Sequence, residues 1–204
     1  MTLTAIPNST TKSPLDAVER SLAADASNRG AQVGGRVLAV CVSPGGIPKT
    51  PVEATWVSQQ GLAGDGRNHA KHISPQRAVS LFDWEILEQL RAEGFALEPG
   101  AIGENLTVVG LHVQRLQPGD LLSVGQVMLR LEEPRKPCYV LDAIDPRLKD
   151  AIVGRCGFLA SVVRAGQIWP GDAIESKGSG LFVEGFVRES NLGAAAGTQG
   201  RFQT

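Results

Sequence analysis

The chain has 204 residues, 20 basic and 21 acidic side chains, a formal net charge of −1 and three cysteines. That length suits one domain with tails and buries a core without disulfide staples, while the charge balance excludes nucleic-acid binding by bulk electrostatics. Cys41, Cys138 and Cys156 are too few and too far apart for a disulfide framework, no stretch is apolar enough to cross a membrane, and the N-terminus lacks a secretory layout, so a cytoplasmic protein is expected.

With 24 Gly and 12 Pro the chain turns often, which favours many short strands. Residues 1–34, rich in Ser, Thr, Asn and Ala, read as a flexible leader, within which Leu15, Val18 and Leu22 share a helical face. The domain is expected over 35–176. It opens with a buried strand over 36–42, closed by the Ser43-Pro44-Gly45-Gly46 turn. Val52, Ala54 and Trp56 then alternate with Glu53, Thr55 and Val57, and a short apolar strand covers 78–82. A helix follows, with Asp83 as an N-cap whose carboxylate accepts from first-turn amides, Glu85 at the positive end of the dipole, and Ile86, Leu87 and Leu90 as the apolar stripe. Gly94 is placed to end it.

Leu106 and Val108 flank Thr107 in the next strand. Over 126–132, Val127, Leu129 and Leu131 face one way and Met128, Arg130 and Glu132 the other. A short helix over 146–152 carries Leu148 and Ile152, and a last strong strand covers 158–164. Pro118-Gly119-Asp120 and Pro170-Gly171-Asp172 echo each other as tight turns feeding apolar strands, like a repeated barrel corner. Residues 177–204 form a Gly/Ala/Ser-rich tail with one apolar run, Leu181-Phe182-Val183. The pattern is mainly β: a β-barrel with a few peripheral helices.

Three segments carry candidate chemistry. Pro134 and Pro137 are expected to end sheet pairing and leave Arg135, Lys136 and Cys138 on a stiff extended loop. Cations beside a thiol stabilise its thiolate, the form that ligates a soft metal or carries a sulfane sulfur. The plain alternative is a small buried side chain. The second segment runs from Gly61 to His72 and on through Arg77; its glycines with Arg67, His69, Lys71, His72 and Arg77 suit an anion cradle, or else an ordinary exposed loop. His69 and His72 have zinc-ligand spacing but no evident third ligand. In the third, Gly103 permits a sharp turn, and Asn105 either reads a heterocycle edge or caps its own turn.

Taken in order, Gly61-Leu62-Ala63-Gly64-Asp65, Arg77-Ala78-Val79-Ser80-Leu81, Gly103-Glu104-Asn105-Leu106-Thr107, Pro118-Gly119-Asp120, Pro134-Arg135-Lys136-Pro137-Cys138, Gly154-Arg155-Cys156-Gly157-Phe158 and Pro170-Gly171-Asp172 form a series. The series resembles the MOSC domain, the family named for the C-terminal domain of molybdenum cofactor sulfurases, and within it the stand-alone bacterial members related to those linked to resistance against N-hydroxylated bases. The resemblance spans about 35–175 and implies a MOSC-type β-barrel and a molybdenum cofactor (molybdopterin). It implies that Cys138 either ligates molybdenum, as in amidoxime-reducing members, or receives sulfur as a persulfide, as in the sulfurases. It places Arg67, Lys71 and Arg77 among the residues that meet the pterin phosphate, Gly103, Glu104 and Asn105 near the pocket, Arg135 before the Cys, and Arg155 in the basic Gly-Arg turn. The chain departs from the pattern at His72-Ile73-Ser74-Pro75-Gln76-Arg77, where many relatives read His-Gly-Gly-Pro-Asp-Arg, and at Cys156, expected to serve in packing or else as a resolving thiol.

Three functions follow as expectations. The first is the catalytic component of a reductase of N-hydroxylated compounds, with Cys138 as molybdenum ligand and an electron-donor protein as partner. The second is a sulfur or cofactor carrier loaded at Cys138 by a sulfur donor of the cysteine desulfurase type. The third is a non-catalytic module that binds a phosphorylated ligand.

Overall fold

Short alternating strands hide their apolar face in this chain by curling the sheet into a barrel. The computed structural model describes residues 34–66 and 73–179. The expected leader helix, Arg67, His69, Lys71, His72 and Leu181-Phe182-Val183 lie outside the described residues. The strands are β1 (Gly34–Val42), β2 (Thr50–Val52), β3 (Thr55–Ser58), β4 (Gly61–Leu62), β5 (Val79–Asp83), β6 (Leu106–Val109), β7 (Asp120–Val124), β8 (Val127–Pro134), β9 (Phe158–Arg164), β10 (Gly166–Ile168) and β11 (Ala173–Ser179); the helices are α1 (Trp84–Ala92) and α2 (Leu148–Ala151). None of the described helices is long and apolar enough to cross a membrane.

Seven strands close in the order β11-β7-β8-β9-β5-β6-β1, with β1 pairing back onto β11 through Gly34↔Glu175 and Arg36↔Ala173. Closure removes the open edges that a flat sheet would present. Every barrel pairing is antiparallel except β5–β6. A parallel pair needs a crossover connection, and α1 with the loop 93–105 supplies it. β2 extends the sheet from β1, and β10, β3 and β4 form a second, three-stranded sheet.

The expected alternation holds in β8: Val127, Leu129 and Leu131 are fully buried, while Arg130 is exposed. They meet Val37, Val40, Leu81, Leu106, Val108, Leu122 and Phe158 in the barrel core. β5 is buried on both faces, since Leu81 joins that core and the next residue, Phe82, joins a second one. There Phe82, Leu87, Leu90, Ile102, Leu141, Leu148, Ile152 and Cys156 pack together, fixing both helices to the barrel wall. Each such aliphatic burial stabilises by about 1.5–3 kcal/mol. Cys156 has the expected packing role.

The two Pro-Gly-Asp corners share one construction. Asp120 Oδ2 accepts from Gln117 N at 2.9 Å, and Asp172 Oδ2 accepts from Trp169 N at 2.9 Å. Gly119 and Gly171 both have φ of 94°, and their amides donate to Leu131 O and Val37 O at 2.7 Å. α1 ends as expected: Gly94 N donates to Arg91 O and Phe95 N to Leu90 O, a Schellman closure.

Three expectations need correction. The alternating run 52–57 is divided between β2 and β3, because β2 pairs with β1 whereas β3 pairs with β10; Thr55 and Val57 turn inward and Trp56 outward. Asp83 stands at the N-cap of α1, but its carboxylate does not cap the helix. It accepts from Val113 N at 2.9 Å and so ties the following loop to β5. Pro134 does not end pairing, for it stays opposite Phe158. Amides of successive strand residues point to opposite sides. Arg135 N donates toward β9, to Gly157 O, so the missing Pro134 donor faces the side where β7 has already ended.

Gly157 has φ of 87°, and a Cβ there would lie 2.0 Å from Leu81 O. Gly157→Ala is therefore expected to destabilise by about 3 kcal/mol or more, read as a lower urea midpoint. Burial pushes the Asp83 carboxyl up to about 6, above its ordinary 3.8. The fold thus favours the protonated form, and this group's contribution is full below about pH 4 and lost as pH rises through about 6. Asp83→Asn keeps an acceptor for Val113 and removes that dependence. Urea titrations near pH 4.5 and pH 7.5 should show the variant gaining on the parent at the higher pH, by at most about 3 kcal/mol.

Candidate functional site

One row of paired residues crosses five strands: Val40, Leu106, Leu81, Phe158 and Pro134. Most of the candidate residues sit beside it. Asn105 and Ser80 are one residue to one side of the row, as is Cys41, and Arg135 and Gly157 are one residue to the other. The loop 98–105 links the two sides, because it ends in Asn105 and its Ile102 carbonyl meets Arg135.

On the first side is a buried polar network. Asn105 Oδ1 accepts from Ser80 N at 3.1 Å and Ser80 Oγ at 3.0 Å, and Nδ2 donates to Asp65 Oδ2 at 2.9 Å and Cys41 O at 3.3 Å. Asp65 also accepts from Ser43 N and pairs with Lys49, whose side chain is 11% exposed against 3% for Asp65. Asn105 therefore neither caps its own turn nor presents an edge to a heterocycle, since both ends of its amide are bonded within the protein. Glu104 is fully buried; its Oε1 accepts from Gly100 N at 2.7 Å and Thr107 Oγ1 at 2.9 Å. Burial, and then the charge of Glu104, push the Cys41 thiol up to about 12.

On the other side stands Arg135. Its Nη2 donates to Ile102 O at 2.6 Å, and its Nη1 is buried with no hydrogen-bond partner among the described residues. Gly103 makes room for this guanidinium. A Cβ at 103 would lie 2.6 Å from Ile47 Cγ2 and 3.6 Å from Arg135 Nη2, and φ is 85°. Cys138 follows with extended backbone (φ −134°, ψ 167°) and starts a 3-10 turn over Tyr139–Ala143, which its carbonyl opens by accepting from Leu141 N. Of the three thiols, Cys138 is exposed and Cys41 and Cys156 are buried. The Cys156 thiol is pushed up by burial, while Arg135 pulls it the other way.

Two expected cofactor contacts are occupied by the protein. Arg77 pairs with Glu133 at 2.7 Å on a half-exposed surface. Arg155 binds both oxygens of Glu93, at 2.8 and 2.7 Å, and donates to Ala151 O. Arg67 and Lys71 belong to the segment outside the described residues. Sequence reasoning missed Lys49 and Ser80 as members of the buried network. Nothing local marks Lys49, a single cation between Pro48 and Thr50. Asp65, in its Gly-Asp-Gly setting, carried a visible signal as a turn acid, though not as the partner of a buried Lys.

Among the described residues, no group of three His, Cys, Asp or Glu side chains is placed to hold a metal. A metal that brings its own chelating ligand would need one open protein sulfur, for which the exposed Cys138 is available, and Arg135, three residues earlier, has a buried Nη1 without a partner among the described residues that could donate to an anionic chelate.

Several known proteins are similar to this chain. A reductase of Gibberella moniliformis is 33% identical over 153 residues, which cover 67% of this chain and 27% of that one. YiiM of Escherichia coli is 30% identical over 137 residues, covering 61% of this chain and 60% of that protein. The crystal structure of YiiM from Geobacillus stearothermophilus superposes with a TM-score of 0.57 at 26% identity, covering 70% of this chain and 74% of that one. The present chain thus spans about a quarter of the reductase and three fifths of the E. coli protein. The family model described as the MOSC domain matches residues 68–175, more than half of the sequence, and the chain belongs to the MOSC domain family.

Proposed function

We propose that this protein binds a molybdenum cofactor through Cys138 and is the catalytic component of a reductase of N-hydroxylated compounds. The observation that carries the reading is an exposed thiol at Cys138 three residues after Arg135, whose buried Nη1 has no partner among the described residues. When bound, the metal would supply the two-electron redox chemistry. Cys138 would hold it through sulfur. Arg135, fixed by Ile102 O, would donate to the anionic chelate, and Gly103 would keep the approach open. Arg67, Lys71 and Arg77 remain proposed contacts to the pterin phosphate; Arg77 would have to exchange Glu133 for it.

Glu104 and Asn105 would act by holding the loop 98–105, since their bonds turn inward. Arg155 is left out of the cofactor contacts, because reaching one would break its two-pronged pair with Glu93. Electrons would come from a separate donor protein. The 33% identity to a protein named a reductase supports the reaction class.

The exposure of Cys138 also suits a second reading, a persulfide carrier, since a sulfur-donor protein can reach an exposed thiol. Incubation with a cysteine desulfurase and cysteine would then add one reducible sulfur to Cys138 in intact-mass spectra, and a protein that never gains it excludes this role.

Protein purified from cells that make the cofactor should contain molybdenum, and Cys138→Ser should lose at least about nine tenths of it while unfolding at the parent's urea midpoint, as befits an exposed position. Metal-free parent protein would overturn the reading. Arg135→Lys removes the forked donor and should lower cofactor retention about 10- to 100-fold, measured by metal content after dialysis.

A further inference from the structure

We infer that the outer face of the second sheet, which carries Trp56 and Trp169, is a docking surface for this chain's own N-terminal segment over 14–24. Strand alternation builds the face. Thr55 pairs with Ile168 and both turn inward, where Ile168 joins Val57 and Leu62 in the barrel core. The neighbouring pair, Trp56 with Gln167, points the other way, since successive strand residues face opposite sides. Trp56 is 54% exposed, and Trp169, the residue after Ile168, is 37% exposed. Trp169 is anchored through its backbone: its N donates to Asp172 Oδ2 and its carbonyl accepts from Asp172 N at 3.2 Å. Open tryptophans on a sheet whose inner face is already used mark an interaction surface.

The course of the chain points to the occupant. Val37 N donates to Asp172 O, and Gly171 N donates to Val37 O. The turn that carries Trp169 is thereby bonded to β1 three residues after Gly34, where the leader joins the barrel. That is about 10 Å along the strand. Residues 25–33 can span up to about 30 Å, enough to bring the segment before them back over either tryptophan. The C-terminal run Leu181-Phe182-Val183 is less well placed. β11 starts beside the same turn at Ala173 and has carried the chain about 20 Å away by Ser179.

The segment has the chemistry for such a surface. Ser13, Pro14 and Asp16 make a helix-start signature: a hydroxyl cap, proline at the first helical position, and a carboxylate three residues after the cap to return a bond to it. Leu15, Val18 and Leu22 then form one apolar stripe, with Asp16 and Arg20 on the far side. Neither Gly nor Pro interrupts the chain from Leu15 to Arg29. A helix this short is marginal alone in water and gains its stability by burying its stripe against a partner surface. Aliphatic side chains on open indole rings bury apolar area on both sides and need no charge partner. The contact involves neither Cys138 nor a cofactor, so it stands or falls separately from the proposed function.

The test exposes the full-length protein to hydroxyl radicals and reads side-chain oxidation by mass spectrometry. In Leu15→Ser/Val18→Ser/Leu22→Ser, Trp56 and Trp169 should label at least about fivefold faster than in the parent, while Trp84, half-buried beside Arg91, keeps the parent's rate. Leu181→Ser/Phe182→Ser/Val183→Ser should leave the tryptophan rates unchanged. The reciprocal variant, Trp56→Gln/Trp169→Gln, should speed amide exchange over residues 15–22 at least about fivefold. Equal tryptophan rates in the parent and the leader variant overturn the inference, and so does unchanged exchange in the reciprocal variant. A tail variant that uncovers the tryptophans overturns it as well, as does protection in the parent that fades on dilution, the mark of a second copy on this face.

Discussion

The loop 98–105 is held by buried side-chain hydrogen bonds, and the geometry around Cys138 depends on them. Glu104 pins the loop's own turn through Gly100 N and Thr107, and Asn105 ties its end to Ser80 and Asp65. A buried hydrogen bond to a charged group contributes about 1.5–3 kcal/mol, and losing one partner strands the other without water. The carbonyl of Ile102 is thereby fixed in space, and that carbonyl fixes Arg135. A loop held only by apolar contacts would tolerate sliding. This one has few alternative positions, because each shift breaks several bonds at once.

The arrangement separates rigidity from reactivity. Cations and carboxylates in the Lys49–Asp65–Asn105 network are neutralised or bonded inside the protein. Cys138 is left at the surface, just beyond the last paired residues of β8. The strand leads to it, and the network's hydrogen bonds do not involve it. Arg135 is the one residue shared by both parts, with one nitrogen bonded to the loop and another unpartnered among the described residues.

Much of the fold was legible because strand and turn chemistry are local. The alternation of Val127, Leu129 and Leu131, the repeated Pro-Gly-Asp corners and the helix closed at Gly94 each rest on neighbouring residues only. The misread features depended on a distant partner. Asp83 looked like a cap and serves Val113, and Pro134 looked like a strand end and sits on an edge left by β7.

From the sequence by itself came the mainly β class, the ordered series of motifs, and Cys138 as the thiol of interest, because residue type, spacing and turn preference act over a few positions. Only the tertiary structure decided which charges are spent inside the protein and which are left without a partner among the described residues. That choice is made by pairs such as Lys49 with Asp65 and Arg135 with Ile102, separated by 16 and 33 residues. The barrel's closure brings such residues within hydrogen-bonding distance, and no local pattern encodes a contact that exists only after the sheet has closed.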